Sequence, residues 1–83
     1  MNMDELTPEL CKAARALVGF HQRTLLKRAK IGNQTLADFE RGARVPLPEN
    51  LAKIRAALEA AGVVFIDSNG GGPGVRLKRK SKR

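Results

Sequence analysis

Cysteine occurs once in this chain, tryptophan and tyrosine not at all, and histidine once. A lone Cys11 excludes an internal disulfide and a cysteine-based zinc site. With only three phenylalanines, the core must be built mainly from Leu, Ile, Val and Ala. No apolar run approaches the roughly 18 residues needed to cross a bilayer, so no membrane partner is expected. The opening residues, Met1 to Thr7, are polar and acidic, and no signal peptide is read there. These features fit a reducing cytoplasm. Nothing resembles a nucleotide-binding glycine loop or a catalytic triad. The expectation is therefore no enzyme, no cofactor and no metal.

What remains is basic and patterned. Hydrophobic residues make up 42% of the 83 positions, enough to exclude a wholly disordered chain. The length suits one small domain with a modest core. The net charge of +8 is unevenly placed. The last eight residues hold six cations and no acid: Arg76, Lys78, Arg79, Lys80, Lys82 and Arg83. Without those six, +8 falls to +2 for residues 1–75. A basic tail on a nearly balanced domain seeks phosphate.

Four helices follow from periodicity and punctuation. Thr7 can cap the first, Pro8 suits its first position and Glu9 its positive end. Leu10, Ala13, Ala14, Leu17 and Val18 recur at helical spacing, and Gly19 ends the run. A second helix spans about Gln22–Ala29, with Leu25, Leu26 and Ala29 inward. His21 before it suggests a cap or a packed ring. Lys30-Ile31-Gly32 is a tight turn. A third helix spans Asn33–Arg41, burying Leu36 and Phe39, and Gly42 stops it. The fourth starts at Pro48, with Leu51, Ile54, Ala57, Leu58 and Ala61 as its stripe and Gly62 as its stop. Val63–Ile66 has the β-branched character of a strand. A glycine-rich turn follows, and Val75-Arg76-Leu77 can pair back. The expected organisation is a helical domain over 1–62, a β segment over 63–77 and a disordered basic tail over 78–83.

Two short helices joined by three residues have the geometry of a DNA reader. The second presents Asn33 and Gln34 at its start. Either amide can donate and accept at once, which matches the major-groove edge of adenine. Asp38 lies one turn after Gln34 on the same face, where it can accept from a cytosine amino group or repel phosphate. Gln22, with the backbone N–H groups at its helix start, and the cations Arg23, Lys27, Arg41 and Arg44 suit phosphate. Between His21 and Arg44, six cations oppose two acids, Asp38 and Glu40.

The stretch Gly19-Phe20-His21-Gln22, then Leu25, then Ala29 through Pro46, resembles the Xre family of helix-turn-helix regulators, which includes the lambdoid phage repressors and Cro proteins. The run "TLADFERGARVP" carries the resemblance most specifically, and the likeness covers about residues 7–61. It implies a mainly α, lambda-repressor-like domain of four helices ending in a short β element, in a bacterial or phage-encoded, nucleoid-associated protein. It implies that Gln22 touches the backbone, that Asn33, Gln34 and Asp38 read bases, and that Thr35, Arg41 and Arg44 lie at phosphate. It also implies an ion pair between Arg15 and Glu40 that ties helices one and three. The family usually has glycine where Lys30 stands, at a turn that often needs positive φ, and a non-glycine residue there costs about 1 kcal/mol.

The apolar strand Val63, Val64, Phe65 and Ile66 invites pairing with a second chain. A homodimer would span two half-sites about one helical turn apart. The resulting expectation is a sequence-specific regulator of transcription, by default a repressor of a palindromic operator, with double-stranded DNA as its partner. Two other classes compete. One is an antitoxin-type protein that holds a partner through its C-terminal segment. The other is a nonspecific nucleic-acid binder driven by the tail.

Overall fold

The computed structural model describes residues 6–67 and 70–78. Four helices come first: α1 Pro8–Val18, α2 Gln22–Ala29, α3 Asn33–Glu40 and α4 Pro48–Ala60. A hairpin follows, β1 Val63–Ile66 and β2 Gly74–Leu77. The third helix ends one residue before the expected Arg41, which caps it in right-handed conformation.

Local chemistry explains the boundaries of α1. The Thr7 hydroxyl accepts from the Leu10 N–H at 3.1 Å, and Pro8 opens the helix. At the other end Gly19 turns left-handed at φ 72°, donating its N–H to the Ala16 carbonyl. The end of α2 needs the same left-handed turn but has no glycine. Lys30 adopts φ 61° and ψ 48° there, and its N–H reaches the Leu26 carbonyl. Among the described residues it is the one non-glycine position with positive φ. A Cβ in that region meets the following carbonyl oxygen. Lys30→Gly should therefore stabilise the fold by about 0.5–1 kcal/mol, less than the full strain because glycine also frees the unfolded chain. Thermal unfolding would measure it, and an unchanged or lower midpoint would contradict the strain.

The core draws on every helix and one strand. Leu25, Leu36, Ile54, Leu58 and Cys11 are fully enclosed, and Phe39 and Val63 join them. Phe20 and Ile31 pack against this cluster. Two members of the α1 stripe do not: Ala13 is exposed and Leu17 is 39% exposed. His21 stands at the N-cap of α2, but its ring is exposed and makes no capping bond. His21 is thus the cap by position alone, with neither a side-chain capping bond nor a packed ring.

The hairpin is antiparallel, with Val63 opposite Leu77 and Ile66 opposite Gly74. The Lys78 N–H donates to the Gly62 carbonyl at 2.6 Å, extending the bonding past β2. The hairpin rests on the helices, β1 against α4 and β2 against α1. That support matters because an isolated two-stranded hairpin is marginal. Alternation sends Val63, Phe65 and Val75 toward the core. Arg55 of α4 lies 4.7 Å from the Phe65 ring centroid, a cation–π contact that fastens strand to helix. The four-residue surface expected over 63–66 is thereby halved. Val63, only 3% exposed, serves the chain's own core, while Val64 and Ile66 lie on the outer face.

Candidate nucleic-acid interface

The turn Lys30–Gly32 sets α3 against α2 and leaves its first residues in solvent. Asn33 and Gln34 are exposed side by side, and Thr35 is half-buried. A groove lies on each side of them. One is lined by Gln22, Arg23, Leu26, Lys27 and Asn33. The other runs between α3 and the 44–50 segment, past Gln34, Thr35, Asp38 and Arg44 to Leu47 and Asn50. Asn33 thus belongs to the α2 side of the surface and Gln34 to the α4 side.

The opposite face of α3 is fixed by a polar knot. Glu40 is 4% exposed, the one buried charged residue among those described. Its carboxylate accepts from Arg15 twice, from Nε at 2.8 Å and from Nη2 at 2.7 Å. It also accepts from the Gln22 amide at 2.8 Å and the Cys11 thiol at 3.0 Å. Arg15 Nη1 donates to the Phe20 carbonyl at 3.0 Å, securing the α1–α2 turn. Burial alone would raise the Glu40 pKa, but the bonds from Arg15, Cys11 and Gln22 outweigh it and hold the carboxyl below the usual range. The four side chains join α1, α2 and α3 at one point. A bidentate guanidinium fixes angle as well as distance.

The thiol at this knot is unreactive by the same physics. Burial, then the bond to Glu40 and its negative charge, push the Cys11 pKa far up. A thiolate is the nucleophile, so almost none forms near neutral pH. Labelling of the native protein by a thiol reagent at pH 8 should be at least about 100-fold slower than after denaturation. Comparable rates would show that the site opens readily.

On the outer face of α3 a second cluster forms. Asp38 Oδ1 accepts from Gln34 Nε2 at 2.8 Å and from Arg41 Nη2 at 2.5 Å. The bond from Arg41, then that from Gln34, lowers the Asp38 pKa. Both acids of the helix-turn-helix are therefore matched internally, Glu40 by Arg15 and Asp38 by Arg41. Arg23, Lys27 and Arg44 are exposed and enter none of the ion pairs found among the described residues. The field outside this surface is positive, which suits a polyanion.

The candidates for DNA contact named from the sequence fall in four places. Asn33, Gln34, Asp38, Thr35, Arg23, Lys27, Arg41 and Arg44 lie about the exposed surface of α2, α3 and the following loop. Gln22 borders that surface, but its amide is turned to Glu40. Arg76 and Lys78 are exposed on and just after the hairpin. Arg79, Lys80, Lys82 and Arg83 lie outside the described residues. Sequence reasoning missed Cys11, Gln22 and Asn50 in their observed places. Cys11 had a signal, since it precedes Arg15 by four residues and so shares its helix face. Among the described residues, no helix is long and apolar enough to cross a membrane. No cluster of metal-ligating side chains occurs among them either.

Comparison with known proteins adds one finding. A family model described as helix-turn-helix matches residues 12–61, from the second turn of α1 to the end of α4. A search of curated proteins returned no match.

Proposed function

The chain belongs to the Xre-type helix-turn-helix family, whose domain serves DNA binding in transcription regulation, and from that premise we propose a sequence-specific repressor that reads its operator through α3. One observation carries the proposal. Asn33 and Gln34 stand exposed at the start of a helix whose inner face is locked by the core and by the Glu40 knot. Such a helix enters the major groove as a rigid body, N-terminus first.

In this reading Asn33 and Gln34 meet base edges. Arg23, Lys27, Thr35, Arg41 and Arg44 flank them at the sugar-phosphate backbone. Phosphate contacts set register and carry most of the salt dependence, but they do not choose sequence. Gln22 acts through its backbone N–H and by holding Glu40. The basic residues of 76–83 add affinity of the same nonspecific kind. The working unit is a homodimer on a palindromic site, joined through the outer hairpin face at Val64 and Ile66. Occupying a promoter is sufficient for repression.

Selection of bound sites from random duplexes tests this directly. The expected result is a symmetric site with half-sites about one helical turn apart. Replacing both Asn33 and Gln34 by alanine should remove about 1–3 kcal/mol of base discrimination for each lost bidentate contact. Unchanged site preference would refute base reading by α3. Deleting residues 78–83 should lower affinity and salt dependence while preference survives. Loss of all binding would instead make the tail the binder.

A further inference from the structure

The geometry points to Asp38 as a positioning residue that sets which base Gln34 accepts, favouring adenine over guanine by holding one proton of the Gln34 amide. This inference rests on the proposal that Gln34 reads a base.

Gln34 and Asp38 are four residues apart, so their side chains meet on one face of α3. The Gln34 Nε2 donates to Asp38 Oδ1 at 2.8 Å. Arg41 donates to the same oxygen from the C-terminal side at 2.5 Å. Asp38 is therefore anchored by an ion pair, and its side chain is only 13% exposed. An exposed glutamine alone has a floppy amide that turns over freely. Here the turned-over form would place Oε1 against a carboxylate, so the amide keeps one sense.

That sense has a consequence for base choice. A primary amide has two N–H donors and one acceptor oxygen. With one proton on Asp38, Gln34 retains one donor and one acceptor. Adenine offers one acceptor, N7, and one donor, N6–H, in the major groove. The match is complete. Guanine offers two acceptors, N7 and O6. To bond both, the amide must turn both protons to the base, and the bond to Asp38 removes one. The Gln34 oxygen would then face O6 unpaired. The Asp38 carboxylate also carries negative charge toward guanine's two acceptors. It thus acts by subtraction, removing a donor pattern that would suit the wrong base.

This role differs from direct reading by Asp38. A carboxylate accepting from cytosine would have to turn Oδ2, the oxygen that neither Gln34 nor Arg41 bonds, to the base, and it would specify a different base pair from the one facing Gln34.

The test uses the full-length chain and duplex site selection, followed by titration of single-base variants. Gln34→Ala first locates the position it reads by flattening preference there. At that same position, Asp38→Ala should lower the adenine-to-guanine ratio about tenfold. Asp38→Ser, too short to span to Gln34, is run beside it with the same expectation, and circular dichroism confirms the helix in each variant. Asp38→Asn should retain the preference, because Arg41 holds the amide oxygen of the new side chain where Gln34 donates. An unchanged ratio in the alanine and serine variants would overturn the inference. So would a change confined to a neighbouring base pair in the alanine, serine and asparagine variants alike, which would mark Asp38 as a reader itself. If Gln34→Ala flattens no position, base reading by Gln34 has failed, and that result is separate from the Asp38 arms.

Discussion

Replacing Glu40 with alanine is expected to destabilise the fold by about 3 kcal/mol. The variant strands Arg15 between α1 and α2 with its carboxylate gone, and it removes the acceptor of Gln22 and Cys11. Losing one partner of a buried ion pair costs about 3–5 kcal/mol, mostly because the other charge stays desolvated. The lower end applies because the Arg15 side chain is 19% exposed and can reach water. For a domain this small, roughly 4–12 kcal/mol of total stability is available, so the loss is a large fraction of it. Each kcal/mol moves the midpoint by roughly 4–8 °C. Urea unfolding would measure the effect. A cost under about 0.5 kcal/mol, the range of an ordinary surface substitution, would show that the knot contributes little.

The same carboxylate predicts a pH dependence. In the unfolded chain Glu40 takes its ordinary pKa near 4.5, and in the folded chain it lies lower. A depressed carboxyl contributes stability that is fully present above the unfolded value and is lost as pH falls through the folded one. Asp38 shifts in the same direction through Arg41 and Gln34. Stability should therefore be insensitive to these two groups from pH 7 to about 5.5 and decline below about 4.5. Glu40→Gln should show a shallower acid limb, with that of Asp38 remaining. An equally steep limb in the variant would mean that Glu40 titrates alike in both states.

A second large effect lies one turn earlier on the same inner face of α3. Leu36→Ala should cost about 3 kcal/mol, within the usual 2–5 kcal/mol for emptying a buried leucine site. Leu36 is fully enclosed on α3. That helix has only eight residues, NQTLADFE, several of them weak helix formers. Alone it would not persist in water, so its shape depends on what it packs against. Loosening should appear first as faster hydrogen exchange in α3 and then as loss of DNA binding. Leu47→Ala is the contrast. Leu47 is 62% exposed, and its replacement should stay within about 0.5 kcal/mol. Equal costs for the two leucines would argue that α3 does not depend on the core.

Much of this architecture was legible in the chain. Thr7, Pro8 and Gly19 delimit α1 by local rules alone, because a cap, a fixed φ and a missing Cβ act within one turn. The stripe Leu51, Ile54, Leu58 identified α4 because burial repeats at the helical period. Even the strained Lys30 was visible, as a lysine at a place that needs glycine. The exposure of Asn33 and Gln34 was legible too, since polar amides at the start of a helix are left in solvent by the apolar stripe that faces the core.

Other features required the third dimension. Ala13 and Leu17 keep helical spacing but lie outside the buried face, because the width of the stripe depends on which neighbours cover it. Val63 and Val64 are adjacent and chemically identical, yet one is core and the other outer surface. Only the placement of the hairpin on α1 and α4 decided between them. Likewise Gln22 has an open donor and acceptor pattern in the sequence, and its actual partner is Glu40, 18 residues away.

The local signals of capping, period and charge thus determined where this chain forms helices and which polar and basic residues stand exposed on α2 and α3. They operate within a few residues and do not depend on how the helices meet. Tertiary structure alone decided that Glu40 would gather Arg15, Gln22 and Cys11, whereas the bonds of Asp38 to Gln34 and Arg41 lie within a turn of α3 and follow from helical spacing. A hydrogen bond requires a donor within about 3 Å at a favourable angle, and residues distant in the chain reach that distance only once the core has set the helix angles.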